Sequence, residues 1–298
     1  MKLVHPTAVS KEQAAAFARN GALKLEGLVD MGAIAELRRL LARELGVPET
    51  ARGFGRDGDY DGVKYGVGST RELTRALVQS AEFRAVIHAL VPMKLLLTQS
   101  NGFALGVGKA GLDWHFDLIS FSYIQPLSPG YTLWLPLDAI DPTGQRGGIE
   151  YVPEAAYSGR DKMVLSSRHF HEGPGIIAEL GGLEAYRKLM PCSPAEKVVL
   201  DRHRVEPAFA LGDAFLFSRY VWHRSSPLLE GGPLTQRLAL NLRLVAGDAL
   251  YDRTLCKKFG EFSVAYGNPN VKTAFGMSFD DLADGDPMIR SRHAVDVI

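Results

Sequence analysis

Cysteine is scarce: Cys192 and Cys256 are the only two in 298 residues, far apart and in no CxxC pair. That argues against a disulfide framework and a thiolate zinc site. Charge of one sign is missing too, because 34 basic residues meet 34 acidic ones. Nucleic acid and anionic membrane surfaces select chains with a basic excess, so neither is an expected partner. No apolar run approaches the ~18 residues of a membrane span. Met1-Lys2-Leu3-Val4-His5-Pro6 also lacks the apolar stretch of a signal peptide. The expectation is a soluble protein of the reducing cytoplasm. There is no internal repeat, low-complexity tract or clear linker. Hydrophobic residues make up 46% of the chain, enough for a sizeable core in a single domain over 1–298.

The first 94 residues read as mainly helical support. Ser10 followed by Gln13 fits a capping box, Asn20-Gly21 is a stop, and Ala22-Leu23-Lys24-Leu25 alternates like a short strand. A second helix starts near Asp30, with Ile34, Leu37, Leu40, Leu41 and Leu45 on one face, and 71–92 predicts a third ended by Pro92. From Leu95 the period changes. Strand-like runs occupy 95–105, 115–125, 131–137, 149–152, 205–209, 214–222 and 237–245, many of them separated by Gly, Pro and Asp. Helices followed by many strands imply a mainly β fold, an antiparallel sandwich or barrel over 95–250 with helices on one face. Residues 155–203 show no strand and predict a lid or accessory layer; 251–298 form a C-terminal extension.

Two motifs fail on context. Gly53-Phe54-Gly55-Arg56-Asp57-Gly58 matches G-x-G-x-x-G, but neither a strand before it nor a helix after it is present to place a pyrophosphate. Asp57-Gly58-Asp59-Tyr60-Asp61-Gly62 imitates a calcium loop, whose twelfth position must be Glu and is here Gly68. A mobile polar loop is the expectation there.

The strongest chemistry lies in Trp114-His115-Phe116-Asp117. On a strand, residues two apart share a face, so His115 and Asp117 present an imidazole and a carboxylate to one ion. A third donor completes a 2-His-1-carboxylate triad with positions left open. HxD alone means little, since eight histidines in the chain produce such pairs by chance and a solvated His–Asp pair is the commoner explanation. His223, in Val221-Trp222-His223-Arg224-Ser225-Ser226, ends an aromatic-rich strand and is either that third donor or a core histidine on a backbone carbonyl. In Arg237-Leu238-Ala239-Leu240-Asn241-Leu242-Arg243-Leu244 the leucines take one face and Arg237, Ala239, Asn241 and Arg243 the other. If the leucines meet the helices, the arginines point inward. A buried guanidinium needs an anionic partner, and its fork suits a carboxylate. A solvated outer face or an internal salt bridge is the competing reading.

The ordered run from His115 to Arg237 resembles the phytanoyl-CoA dioxygenase (PhyH-like) family of Fe(II)/2-oxoglutarate-dependent oxygenases. The resemblance rests on Trp114-His115-Phe116-Asp117, on Trp134-Leu135-Pro136-Leu137-Asp138 with Gly147-Gly148-Ile149-Glu150-Tyr151-Val152-Pro153, and on Gly212-Asp213-Ala214-Phe215-Leu216-Phe217 leading to His223. It implies a double-stranded β-helix (jelly-roll, cupin-like) core of eight strands. Its cofactor would be Fe(II), with 2-oxoglutarate as co-substrate and O₂ consumed. His115, Asp117 and His223 map onto the metal triad and Arg237 onto the arginine that clamps 2-oxoglutarate. Ser225 looks like a residue that assists it, Trp134 like the tryptophan lining the co-substrate pocket, and Gln99 like a strand glutamine that contacts 2-oxoglutarate in some members. The sequence departs from the pattern in three ways. Pro153 leads into Glu154-Ala155-Ala156-Tyr157 rather than Gly-Ser-His. Fourteen positions separate His223 from Arg237, slightly more than typical, which leaves Arg243 as a fallback clamp. Residues 155–203 have no generic counterpart.

The resemblance implies oxidation of a small soluble metabolite, of amino-acid or natural-product metabolism, with release of succinate and CO₂. Asp117 favours hydroxylation or another oxygen-driven outcome, since related halogenases carry Gly or Ala there to admit chloride. Phe116, Tyr123, Arg219, Trp222 and Arg243 are candidate pocket residues. His169 and His171 read as loop histidines that could touch substrate. A non-catalytic metal- or ligand-binding module of the same shape and a zinc-dependent hydrolase with the same ligands remain open alternatives.

Overall fold

A computed structural model describes residues 2–46, 58–172, 178–179, 181, 192–265, 279–294 and 298. Ser10 and Gln13 form the capping box and start helix α1 (Lys11–Asn20), which stops at left-handed Gly21. Strand β1 (Ala22–Leu25) follows. The Asp30 side chain accepts from the Gly32 N–H and starts α2 (Met31–Leu45). Residues 71–92 are not one helix. Ser80 takes an extended backbone and its Oγ accepts from the Phe83 N–H, so the run divides into α3 (Arg71–Gln79) and α4 (Ala81–Leu90).

The remaining strands are β2 (Gly58–Asp59), β3 (Gly62–Tyr65), β4 (Leu95–Gly106), β5 (Gly111–Leu112), β6 (Gly130–Pro136), β7 (Ile149–Val152), β8 (Ala214–Ser218), β9 (Trp222–Ser225) and β10 (Gln236–Ala246). A six-stranded antiparallel sheet runs β1-β8-β6-β10-β4-β3. Facing it are the pairs β7–β9 and β2–β5, with His115 bridged to His223 and Val205 to Tyr151. This is a jelly roll with helices on the outside of the larger sheet.

Three expected strands are corrected. Residues 115–125 contain only the bridges at His115 and Ile124, with a 3-10 turn at Ile119–Phe121 between them. Residues 205–209 make single bridges at each end. Residues 214–222 break after Ser218 because a turn, closed by Val221 N–H to Ser218 C=O, carries the chain from one sheet to the other. The expected mobile loop is also corrected from Gly58 onward. There the chain pairs with β5, Asp59 meets Lys109 at 2.8 Å and Asp61 accepts from Gln236, so these carboxylates already have partners. The rest of the glycine motif, 53–57, lies outside the described residues.

The stretch 155–203 holds α5 (Arg160–Glu172) and α6 (Pro194–His203). His169 and His171 are therefore helical rather than loop residues, and His171 pairs with Asp252 at 3.0 Å, just before α7 (Arg253–Ala265). Among the described residues no helix is long and apolar enough to cross a membrane.

The alternation of β10 organises the core. Leu238, Leu240, Leu242 and Leu244 join Leu133, Leu135, Ile34, Leu37, Leu41 and Phe83 in one buried cluster between sheet and helices. Ala239 on the opposite face joins Trp134, Phe215, Phe217, Ile149 and Phe209 inside the roll. Leu242 is fully buried, so Leu242→Ala should cost about 2–5 kcal/mol in denaturant unfolding. A loss below ~1 kcal/mol would show that this layer is not closely packed.

Candidate active site

Three donors from two elements converge inside the roll. His115 and His223 are mutual bridge partners, each donating its N–H to the other's carbonyl at 2.9 and 2.8 Å, and their ring centroids stand 4.1 Å apart. The His115 Nδ1–H donates to Asp113 O at 2.7 Å and the His223 Nδ1–H to Val221 O at 3.0 Å. With Nδ1 carrying the proton, each Nε2 keeps its lone pair for a metal. The core histidine on a backbone carbonyl and the metal ligand thus become one reading. Asp117 lies just past the bridge, anchored by its own N–H to Arg219 O, with Oδ1 4.0 Å from His223 Nε2. Ligand atoms of His115, Asp117 and His223 all fall within 4.8 Å of one another.

Electrostatics hold the set in its ligating form. Burial, the largest influence on Asp117, acts to raise its pKa, but Arg243, His223 and His115 together with the Thr132 hydroxyl bring it down to about 2. Thr132 Oγ1 donates to Asp117 Oδ2 at 2.7 Å, and Arg243 Nη1 also bonds that oxygen. Oδ1 is left facing the histidines. Burial, then the neighbouring His115, pushes His223 down to about 3, and burial lowers His115 as well. At neutral pH the set is one carboxylate and two neutral imidazoles, a donor set suited to Fe(II) or another first-row divalent ion.

A second polar cluster lies on the same inner face. Arg237 is buried, with Nε donating to Gly147 O at 2.7 Å and its guanidinium carbon 5.6 Å from the centre of the Trp134 ring. Burial lowers its pKa, with Tyr60 and Asp138 acting in the opposite direction. Tyr60 and Ser225 share a 2.6 Å hydroxyl contact, and Ser225 Oγ accepts from the Leu112 N–H. Gly111 makes that approach possible: its φ is +69°, and a Cβ there would stand 2.5 Å from Ser225. Among the described residues no carboxylate forms an ion pair with Arg237.

The other expected pocket residues divide. Gln99 faces Arg243 across β4 and β10 and shares the inner face. Arg243 is taken by Asp117 and Thr132, which removes it as the fallback clamp. Phe116 and Trp222 pack edge to face at 4.9 Å in the outer cluster, because each directly neighbours His115 or His223 in the chain and alternation turns it away from the site. Arg219 braces the 121–128 loop through the carbonyls of Phe121, Gln125 and Ser128. Tyr123 bonds Thr98 Oγ1 at 2.6 Å and stacks on Phe279. Sequence reasoning missed Thr132 and Tyr60. Thr132 shares a strand face with Trp134 and was open to a parity argument; Tyr60 carries no local signal.

The family model described as phytanoyl-CoA dioxygenase (PhyH) matches residues 17–230. The chain belongs to this family. It is accordingly an Fe(II)- and 2-oxoglutarate-dependent oxygenase, which decides against the non-catalytic module and the zinc hydrolase. The match includes all three donors and ends before Arg237. Solved structures agree in fold. The non-haem α-ketoglutarate-dependent epimerase SnoN from nogalamycin biosynthesis shares 18% identity, 93% of this chain and 94% of its own, with a TM-score of 0.62. The corresponding carbocyclase SnoK shares 18%, 95% and 96%, with 0.61. EctD from S. alaskensis with bound Fe shares 17%, 86% and 85%, with 0.58. No curated protein matches the chain by sequence.

Removing the charge of Arg243, by Arg243→Met, should raise the Asp117 pKa, since burial then meets less opposing positive charge. Carboxyl ¹³C shifts of the metal-free protein read this directly; a group still titrating near 2 would mean that Arg243 does not hold it down.

Proposed function

We propose that His115, Asp117 and His223 hold the iron, and that Arg237, assisted by Ser225 and Tyr60, receives the distal carboxylate of 2-oxoglutarate. Trp134 and Gln99 complete the co-substrate pocket, and the whole chain, 1–298, serves one catalytic domain. The observation that carries the clamp is the buried Arg237, which among the described residues has no carboxylate partner, on the face that also bears the triad. A buried guanidinium is costly unless an anion meets it. Its Nε is committed to Gly147 O and the Tyr60 hydroxyl also bonds the guanidinium, which fixes the fork and still leaves Nη hydrogens for a carboxylate.

When bound, iron supplies O₂ activation coupled to oxidative decarboxylation of 2-oxoglutarate to succinate and CO₂. The residues of the chain orient the reactants. Thr132 and Arg243 keep Asp117 on a single ligating oxygen, the Asp113 and Val221 carbonyls set the histidine rings, and the aromatic wall around Trp134, Phe215 and Phe217 excludes water. The substrate is a small soluble metabolite that is hydroxylated or otherwise oxidised at carbon. Supporting this class, SnoN is solved with Fe³⁺, α-ketoglutarate and nogalamycin RO, and EctD with 2-oxoglutarate and 5-hydroxyectoine.

Anaerobic Fe(II) with 2-oxoglutarate should give a weak visible metal-to-ligand band, lost in His115→Ala and Asp117→Ala. A band that survives either change would sink the ligand assignment. Arg237→Leu should weaken 2-oxoglutarate about 10- to 150-fold, from ~1.5–3 kcal/mol for a charge-assisted hydrogen bond. Iron affinity should stay near wild type; an unchanged KM for 2-oxoglutarate would remove Arg237 as the clamp.

A further inference from the structure

Helix α6 lies across the back of the two segments that carry the histidines. Asp201 Oδ1 accepts from Trp114 Nε1 at 2.9 Å and pairs with Arg224 Nη1 at 2.8 Å. Trp114 directly precedes His115, and Arg224 directly follows His223. Alternation explains the placement: the histidines turn into the roll, so their chain neighbours turn out toward α6. The Arg224 guanidinium carbon sits 4.6 Å from the centre of the Trp114 ring, and its Nε and Nη2 reach buried Glu150 Oε2 at 2.9 and 2.7 Å. One turn before Asp201, on the same helix face, Lys197 pairs with Asp113 at 2.7 Å. Asp113 is the residue whose carbonyl accepts the His115 Nδ1–H.

Each histidine segment is short. His115 belongs to no extended strand and meets β9 only through the reciprocal bridge with His223. Asp201 spans that seam from outside, with one carboxylate oxygen contacting a residue on each side. Trp114 is nearly fully buried, so loss of its acceptor would leave a buried N–H without a partner, which costs free energy and favours displacement of the ring.

We propose that α6 is a positioning brace for the metal centre, and that Asp201 is the positioning residue that keeps the His115 and His223 segments at the separation a metal requires. This rests on the assignment of those histidines as ligands. It also gives the 155–203 region a role: docking of α6 sets metal affinity, so the region acts on the site from behind.

The test uses the full chain and reads metal affinity rather than turnover, by anaerobic competition for Fe(II) against a chromophoric chelator, with Co(II) absorption as a second readout. Asp201→Ala should weaken metal binding by ~10- to 100-fold, the range for partners that orient ligands. Asp201→Asn, whose amide oxygen still accepts from Trp114, should recover most of it. Trp114→Phe keeps the ring, removes the bond and should shift affinity in the same direction; it serves if Asp201→Ala does not fold. Glu44→Ala, which removes the caps on the Gly68 and Ser69 N–H groups from α2, is the remote control for lost stability and should leave metal affinity unchanged. Wild-type affinity in both Asp201→Ala and Trp114→Phe would overturn the proposal. So would affinity losses that merely follow the loss of Tm in the Glu44→Ala control. If His115→Ala binds metal as tightly as wild type, the ligand assignment itself fails and the brace fails with it, an outcome separate from a null result at Asp201.

Discussion

Two buried guanidinium groups on the inward face of β10 set the terms for the rest of the site. Placing a cation in a protein interior is expensive, and each arginine meets that cost differently. Arg243 has an internal anion, Asp117, and with Thr132 it holds one oxygen of that carboxylate. Arg237 has neutral partners, Gly147 O and the Tyr60 hydroxyl. One end of the inner face is therefore electrostatically closed around Asp117 and the two histidines, while at the other, among the described residues, no carboxylate pairs with Arg237. In the proposed site, the polarity of a two-carboxylate co-substrate would follow from this difference between two otherwise equivalent strand positions.

The histidines illustrate a related economy. Both rings spend Nδ1 on a backbone carbonyl two residues earlier, and both sit where burial disfavours protonation. The tautomer and the charge state are thus chosen before any metal arrives. What the local chain does not supply is the distance between the rings, because His115 and His223 lie on separate segments joined by a single bridge. That distance has to come from packing around the seam, on the inside from Phe217 against His223 and on the outside from Arg224, Trp114 and α6.

Much of the fold, and the convergence of His115, Asp117 and His223, was legible because the signals are short-range. The capping box at Ser10, the strand at 22–25 and the two-faced pattern of β10 are written within a few residues and appear in the structure as read. Errors arose where a local pattern meets a tertiary decision. Ser80 divides a helix because its hydroxyl caps α4, the aromatic run 214–222 changes sheets after Ser218, and Phe116 and Trp222 look like pocket residues only if their parity is ignored. The polar segment after Gly58 looked like idle loop, yet it supplies Tyr60 to Ser225 from 165 positions away.

The sequence by itself determined which side chains share a strand face, which residues could ligate a metal, and the family to which their order belongs, since these depend on spacing within one element or on order along the chain. Only the tertiary structure decided which arginine meets Asp117, which has only neutral hydrogen-bond partners among the described residues, and which helix backs the histidines. Those contacts join residues 126 positions apart for Arg243 and Asp117 and 87 apart for Trp114 and Asp201. No local periodicity encodes such pairings; they follow from how two sheets and a helix close around buried charge.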